Sequence, residues 1–304
     1  MIEVQNIDER VIVIASIRPP AIYLDHWAIN EISANPAVLA RFSDIFKTKG
    51  TLLFTLANTF DISGIQGDAL DRTALFLDGV GENWFPLEMN PAKVMRAEKE
   101  YSEEKNPPYF ADGFLESYFP NIYNRKLTLK EIVNLVTENN GSAPVFTSVG
   151  QTFEEMAKMF ELFRAKRSSD PKLKGQIPSA DTFNVNRPTK FVYESLIYLM
   201  FAERFRLYKN QMVDFFHSTV ALSYSEFVLL DKLWENLATK IKSPRPVRVY
   251  SQPGLLDFIN DLEKWTTPWE GKKMIVANHQ KVENQKPRHK SDMKGRKENR
   301  LEQP

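Results

Sequence analysis

The chain has 304 residues, 42% of them hydrophobic and 21 of them Phe, enough apolar mass to fill a sizeable core. A formal charge of +1 hides an asymmetry: residues 272–304 hold 10 Lys/Arg against 4 Asp/Glu, leaving 30 against 35 for the rest. The absence of cysteine excludes disulfides and thiolate zinc sites; no apolar run approaches the roughly 18 residues of a membrane span, and the opening MIEVQNIDER lacks a signal peptide's basic and apolar regions, so a globular, cytoplasmic protein with no membrane partner is expected.

Along the chain, VIVIA at 11–15 and AIYL at 21–24 are short, β-rich runs separated by Pro19-Pro20, which predicts two strands joined by a turn. Asp25 follows the second run. After Pro36, the residues Val38, Leu39, Phe42, Ile45 and Phe46 keep helical spacing, and Gly50 is a stop signal. TLLF at 51–54 predicts another strand, and Thr55 can cap a helix that places Asp61 about two turns in. Residues 66–187 mix a candidate strand at 84–87 with helices around 93–104 and 153–166, and they read as an insertion. Helices over 190–208 and 211–221 follow, then FVLL at 227–230, which runs into Asp231, a helix over 233–241, and VRVY at 247–250. Alternation of strands with helices predicts an α/β fold with a mostly parallel sheet, as one domain over 1–271 whose core spans 11–65 and 188–265. Residues 272–304 combine high charge with few apolar groups and are expected to form a disordered basic tail.

Asp25 and Asp231 each follow a short apolar strand, where an open α/β sheet presents its ligand site. A lone Asp at such a place is also a good helix N-cap. In the order they occur, AIYLDHWAINEIS, LLFTLANTFDISG and NQMVDFFHSTVALSYSEFVLLDKLW resemble the three acidic motifs of the PIN-like domains, a superfamily of metal-dependent ribonucleases. The resemblance spans about 70 of the 304 residues. It implies a three-layer PIN-like fold with a large helical insertion. It also implies that Asp25, Asp61, Asp214 and Asp231 are the catalytic and metal-binding residues for Mg²⁺ or Mn²⁺, hydrolysing RNA in a toxin-like, regulatory or defence role. DNA is the alternative substrate, and an inactive interaction module is the alternative to an enzyme. An inhibitory protein partner and a homodimer are further expectations from the family. The second position is more usually Glu, so Asp61 departs from the pattern by one methylene, and Glu31 is its nearest rival. The residue types suit the chemistry, because hard divalent ions prefer carboxylate and water oxygens shared with phosphate. Four such acids brought together without a cation would repel one another and raise their pKa values.

His217 lies one helical turn after Asp214, and His26 adjoins Asp25; on a Phe-rich helix a packing role is preferred for His217, and the same holds for His26. Asn210 reads as a helix cap. Asp68, Asp71, Glu98, Glu100, Glu103 and Glu104 read as solvated helix faces. SGIQGD and DGVGENW read as turns, since neither has phosphate-loop nor dinucleotide spacing. In the tail, Lys286, Arg288, Lys290, Lys294, Arg296, Lys297 and Arg300 would contact nucleic acid weakly and in a salt-sensitive way, without an aromatic stacking platform.

Overall fold

The computed structural model describes residues 1–7, 10–101, 107–111, 125–139, 144–169, 176–202, 207–266 and 272–280. Strands β1 (Ile2–Ile7) and β2 (Arg10–Ile17) open the chain, followed by β3 (Ala21–Leu24), helices α1 (His26–Ala34) and α2 (Pro36–Thr48), and β4 (Thr51–Phe54). Next come α3 (Leu56–Ser63), α4 (Asp68–Val80), β5 (Trp84–Pro86), α5 (Pro91–Glu100), β6 (Arg125–Leu127), α6 (Leu129–Asn139) and α7 (Pro144–Ser169). The chain then runs through α8 (Pro188–Ala202), α9 (Lys209–Tyr224), β7 (Phe227–Leu229), α10 (Lys232–Ala238), β8 (Arg248–Tyr250), α11 (Leu255–Lys264) and β9 (Lys272–Gln280).

The fold is α/β. Its centre is a five-stranded parallel sheet in the order β5-β4-β3-β7-β8. Every residue of β3, β4, β5 and β7 is buried, so both sides of each strand pack under protein, as parallel sheets require. Strand order follows from the crossovers: the chain moves from β3 outward to β4 and β5, then returns to the other side of β3 for β7 and β8. That reversal puts a topological switch point between β3 and β7.

Local chemistry sets the element ends. Asn35 caps α2 by accepting from the backbone N–H of Ala37 and Val38, with Pro36 at the first helical position. Helix α2 stops at Thr48, and Gly50 turns into β4 with φ 92°, where a Cβ would press on the Ile22 side chain at 3.3 Å. Thr55 and Asn58 form a reciprocal capping box at the start of α3. Gly79, by contrast, sits inside α4 where that helix crosses α2, and a Cβ there would lie 3.1 Å from the Ser43 Cβ and closer still to its hydroxyl. Gly79→Ala should therefore cost about 1–3 kcal/mol of stability by overpacking this crossing, read as a drop in urea midpoint at unchanged slope. Relief by Ser43→Gly in the same chain would identify the contact as the cause.

The strands expected at 11–15 and 21–24 are present and joined at a cis Pro19-Pro20 bond; β2 lies in an antiparallel sheet of order β6-β1-β2-β9 and β3 in the parallel one. Two expectations need correction. The stretch 66–187 is not wholly an insertion, since β5 completes the parallel sheet and α4 packs on α1 and α2. Residues 272–280 form a strand rather than a tail: Met274 and Ile275 pair with Ala15 and Ile14 across a register shift in β2. A charge count over 33 residues averages out that short apolar run. Residues 281–304, with the tail cations named above, lie outside the described residues, as do Glu103 and Glu104. Among the described residues, no helix is long and apolar enough to cross a membrane.

Candidate active site at the switch point

Asp25 and Asp231 stand on the two sides of the switch point. Asp25 directly follows β3, and its backbone N–H donates to the carbonyl of Leu229 at the end of β7 (3.1 Å), so the two strand ends are laced at this level. Each aspartate starts a helix. Asp25 Oδ1 accepts from the His26 N–H at 2.8 Å, and Asp231 Oδ1 accepts from the Trp234 N–H at 3.0 Å. The capping role weighed from sequence is thus real for both, and it engages one oxygen of each carboxylate. The other oxygen has no hydrogen bond among the described residues.

Helix α3 is fastened to the same strand end, because Asn58 Nδ2 donates to the carbonyl of Leu24 at 3.1 Å. Asp61, three residues on, lies on the exposed side of that helix within the field of Asp214, His26 and His217. Asp214 comes from α9, where it accepts from His217 Nε2 at 3.3 Å. His217 is 97% buried, stacked on Tyr23 of β3 with ring centroids 5.5 Å apart. It packs as the sequence suggested, and it is also a charge partner. Its Nδ1 is buried and unpartnered.

Electrostatics tie these groups into one cluster. Burial, first of all, raises the Asp25 carboxyl above its ordinary range; His217 opposes this, and the charges of Asp214 and Asp231 add to it. Asp61, although its residue is exposed overall, is also raised, chiefly by the solvent its carboxyl loses to the neighbouring groups, with His26 and His217 opposing and Asp214 contributing. Mutual repulsion, the cause expected from sequence, is therefore the smaller one. For His217, burial pulls the pKa down, but the bond to Asp214 and the fields of Asp25, Asp214 and Asp61 outweigh it and leave the ring above its usual value. Asp25, Asp61 and Asp214 thus share the field of one buried imidazole, and Asp231 reaches the group through Asp25.

Other candidates fall elsewhere. Glu31 accepts from Gln252 at 2.8 Å on the outside of α1. His26 shares a hydrogen bond with Asn30 at 2.8 Å. Asn210 is not a cap: it is the second residue of α9, exposed, and Tyr208 occupies the cap position with its N–H donating to Gln211. Asp68, Asp71 and Glu100 are exposed as expected, but Glu98 is buried, accepting from the Thr189 N–H at 3.0 Å and the Tyr224 hydroxyl at 2.6 Å. It ties α5, α8 and α9 together. Tyr23 and Asn58, which fix His217 and α3, were missed; the Thr-x-x-Asn spacing was the available signal for Asn58.

The donor set suits a hard divalent cation, with four carboxylates that keep uncommitted oxygens and no sulfur. Among the described residues, however, no three His, Asp or Glu side chains are gathered at metal-binding spacing. No family model matches the chain, and no curated protein and no solved structure matches it either.

Proposed function

We propose that this is a PIN-like, divalent-metal-dependent endoribonuclease, with Asp25, Asp214 and Asp231 as principal ligands for Mg²⁺ or Mn²⁺ and Asp61 as the fourth. The supporting observation is the place of the acids. Asp25 and Asp231 flank the topological switch point of a parallel sheet, the position at which open α/β sheets bind ligands; Asp214 lies within the field of Asp25, and Asp61 within that of Asp214. When bound, the cation supplies the positive charge that activates water and stabilises the departing oxygen of a phosphodiester. The chain supplies the frame. The two caps restrain Asp25 and Asp231, the Asn58 clip holds α3 at the strand end, and the His217 ring, its pKa raised by Asp214, Asp25 and Asp61, offsets their charge when it takes up a proton. A single-stranded RNA is the proposed substrate; DNA would use the same acids.

The second reading, a PIN-like module that assembles with a partner and does not cleave, draws on the wide spacing of the acids. Calorimetric titration with Mn²⁺ separates the two. The enzyme is expected to bind saturably and to release protons from His217 and Asp25, whose raised pKa values hold those protons to higher pH than in the free groups, because a cation competes with both protons. The release shows as a heat that depends on buffer ionisation enthalpy. A module without a site gives no saturable heat.

A further inference from the structure

Helix α7 spans 26 residues, about 39 Å, and carries apolar residues on two opposite faces. Phe153, Ala157 and Phe160 are buried; Phe153 meets Phe216, and Phe160 meets Phe215 and Phe201. On the far side, Met159 is 69% exposed and Leu162 72%, and Phe163, half exposed at the flank where its ring also meets Phe201, completes the densest group of exposed large apolar side chains among the described residues. A groove floored by Ala157, Leu162, Leu207 and Tyr208 and edged by Glu154, Lys158, Glu161 and Lys209 continues the patch. Such a face on a soluble helix marks a contact surface.

The stripe has a pattern of its own. Glu155, Met159, Leu162 and Lys166 follow one another at spacings of four, three and four, the seam of an α-helical pair. All four are exposed, and neither Glu155 nor Lys166 has an ion-pair partner among the described residues. The pattern is self-complementary under a two-fold axis at the middle of the stripe. Antiparallel pairing of two such helices sets Met159 against the partner's Leu162, and Glu155 against the partner's Lys166, and each contact occurs twice. Parallel pairing would instead oppose Glu155 to Glu155 and Lys166 to Lys166, which is repulsive.

We infer that the chain forms a homodimer through antiparallel pairing of α7, with an apolar centre of Met159, Leu162 and Phe163 closed at both ends by Glu155–Lys166 ion pairs. The same helix packs on α9, which carries Asp214, so the dimer would brace the wall of the candidate site in each subunit.

Sedimentation equilibrium of the full chain tests this. The parent is expected to dimerise, and Leu162→Glu, at an exposed position, should leave a folded monomer by circular dichroism. Glu155→Lys alone or Lys166→Glu alone should weaken association about tenfold by opposing like charges twice, whereas the two together should restore it. Because the chain has no cysteine, Met159→Cys with Leu162→Cys adds a second arm: oxidation should yield a covalent dimer joined between positions 159 and 162. A monomeric parent, a dimer indifferent to Leu162→Glu, or a double charge reversal no better than the single ones would each overturn the proposal. Any of these would leave the face to a different protein.

Discussion

Asp25→Asn is expected to lower metal-dependent cleavage of single-stranded RNA on the order of 10³-fold or more while leaving the fold as stable as the parent or more so. The two halves of that result come from the same burial. Removing a carboxylate takes one anionic oxygen from the proposed cation site, and no neighbouring acid shares Asp25's place at the end of β3. Stability moves the other way. Burial raises the folded-state pKa of Asp25 above its unfolded value, so the contribution of this group is fully present below the unfolded pKa and is lost as pH rises through the folded one. Ionised Asp25 thus weighs against the fold at neutral pH. Asn removes that charge and keeps an oxygen to accept from the His26 N–H, so the cap survives. The variant should melt no lower than the parent at neutral pH, and any gain should fade in acid. Asp231→Asn keeps its cap in the same way and should lose cleavage to a similar extent. Full cleavage by a well-folded double variant would remove the acids from the reaction; lost cleavage with a markedly lower melting temperature would point to a folding defect instead.

How these residues became visible depends on how local their signals are. Asp25 and Asp231 stand out because a short apolar run, an acid and a helical pattern lie within a dozen residues of sequence. Asp214 rests on the resemblance of its motif, and His217 follows from it by one helical turn. The switch point is different in kind, since it requires the strand order β5-β4-β3-β7-β8, and that order is set by pairings such as Tyr23 with Val228, some 200 residues apart. The second sheet escaped for two reasons. β1 carries the alternation of a half-buried strand, with Ile2 and Val4 buried, but Glu3, Gln5 and Asn6 break it into single apolar residues rather than a run; β9 lies in a stretch whose charge dominates. Glu98 shows the limit most plainly. It sits in the run RAEKEY, which looks solvated, yet it is buried, and Thr189 and Tyr224, brought in from 91 and 126 residues away, satisfy one of its oxygens while the other has no hydrogen-bond partner among the described residues.

Trp84→Ala is expected to be the most damaging single core substitution, costing about 3–5 kcal/mol. Trp84 is fully buried in β5, the outermost strand of the parallel sheet on that side, and its Nε1–H donates to the carbonyl of Leu127 in β6 at 2.9 Å. Close by, the Leu129 N–H at the start of α6 donates to the carbonyl of Gly81, just after α4, at 2.8 Å. One side chain therefore fills the seam between the two sheets and satisfies a buried acceptor across it. The two contributions can be separated. Trp84→Phe keeps most of the apolar volume and removes the donor, so it should cost about 1–3 kcal/mol, the penalty for leaving the Leu127 carbonyl unpaired together with a small cavity. Urea denaturation followed by fluorescence and by far-ultraviolet circular dichroism checks both. A seam shared by the sheets predicts coincident transitions in the parent and a parallel fall of both signals in Trp84→Ala. If the dichroism transition of Trp84→Ala splits in two, the sheets unfold as separate units, and the Trp84 bond to Leu127 couples them only locally.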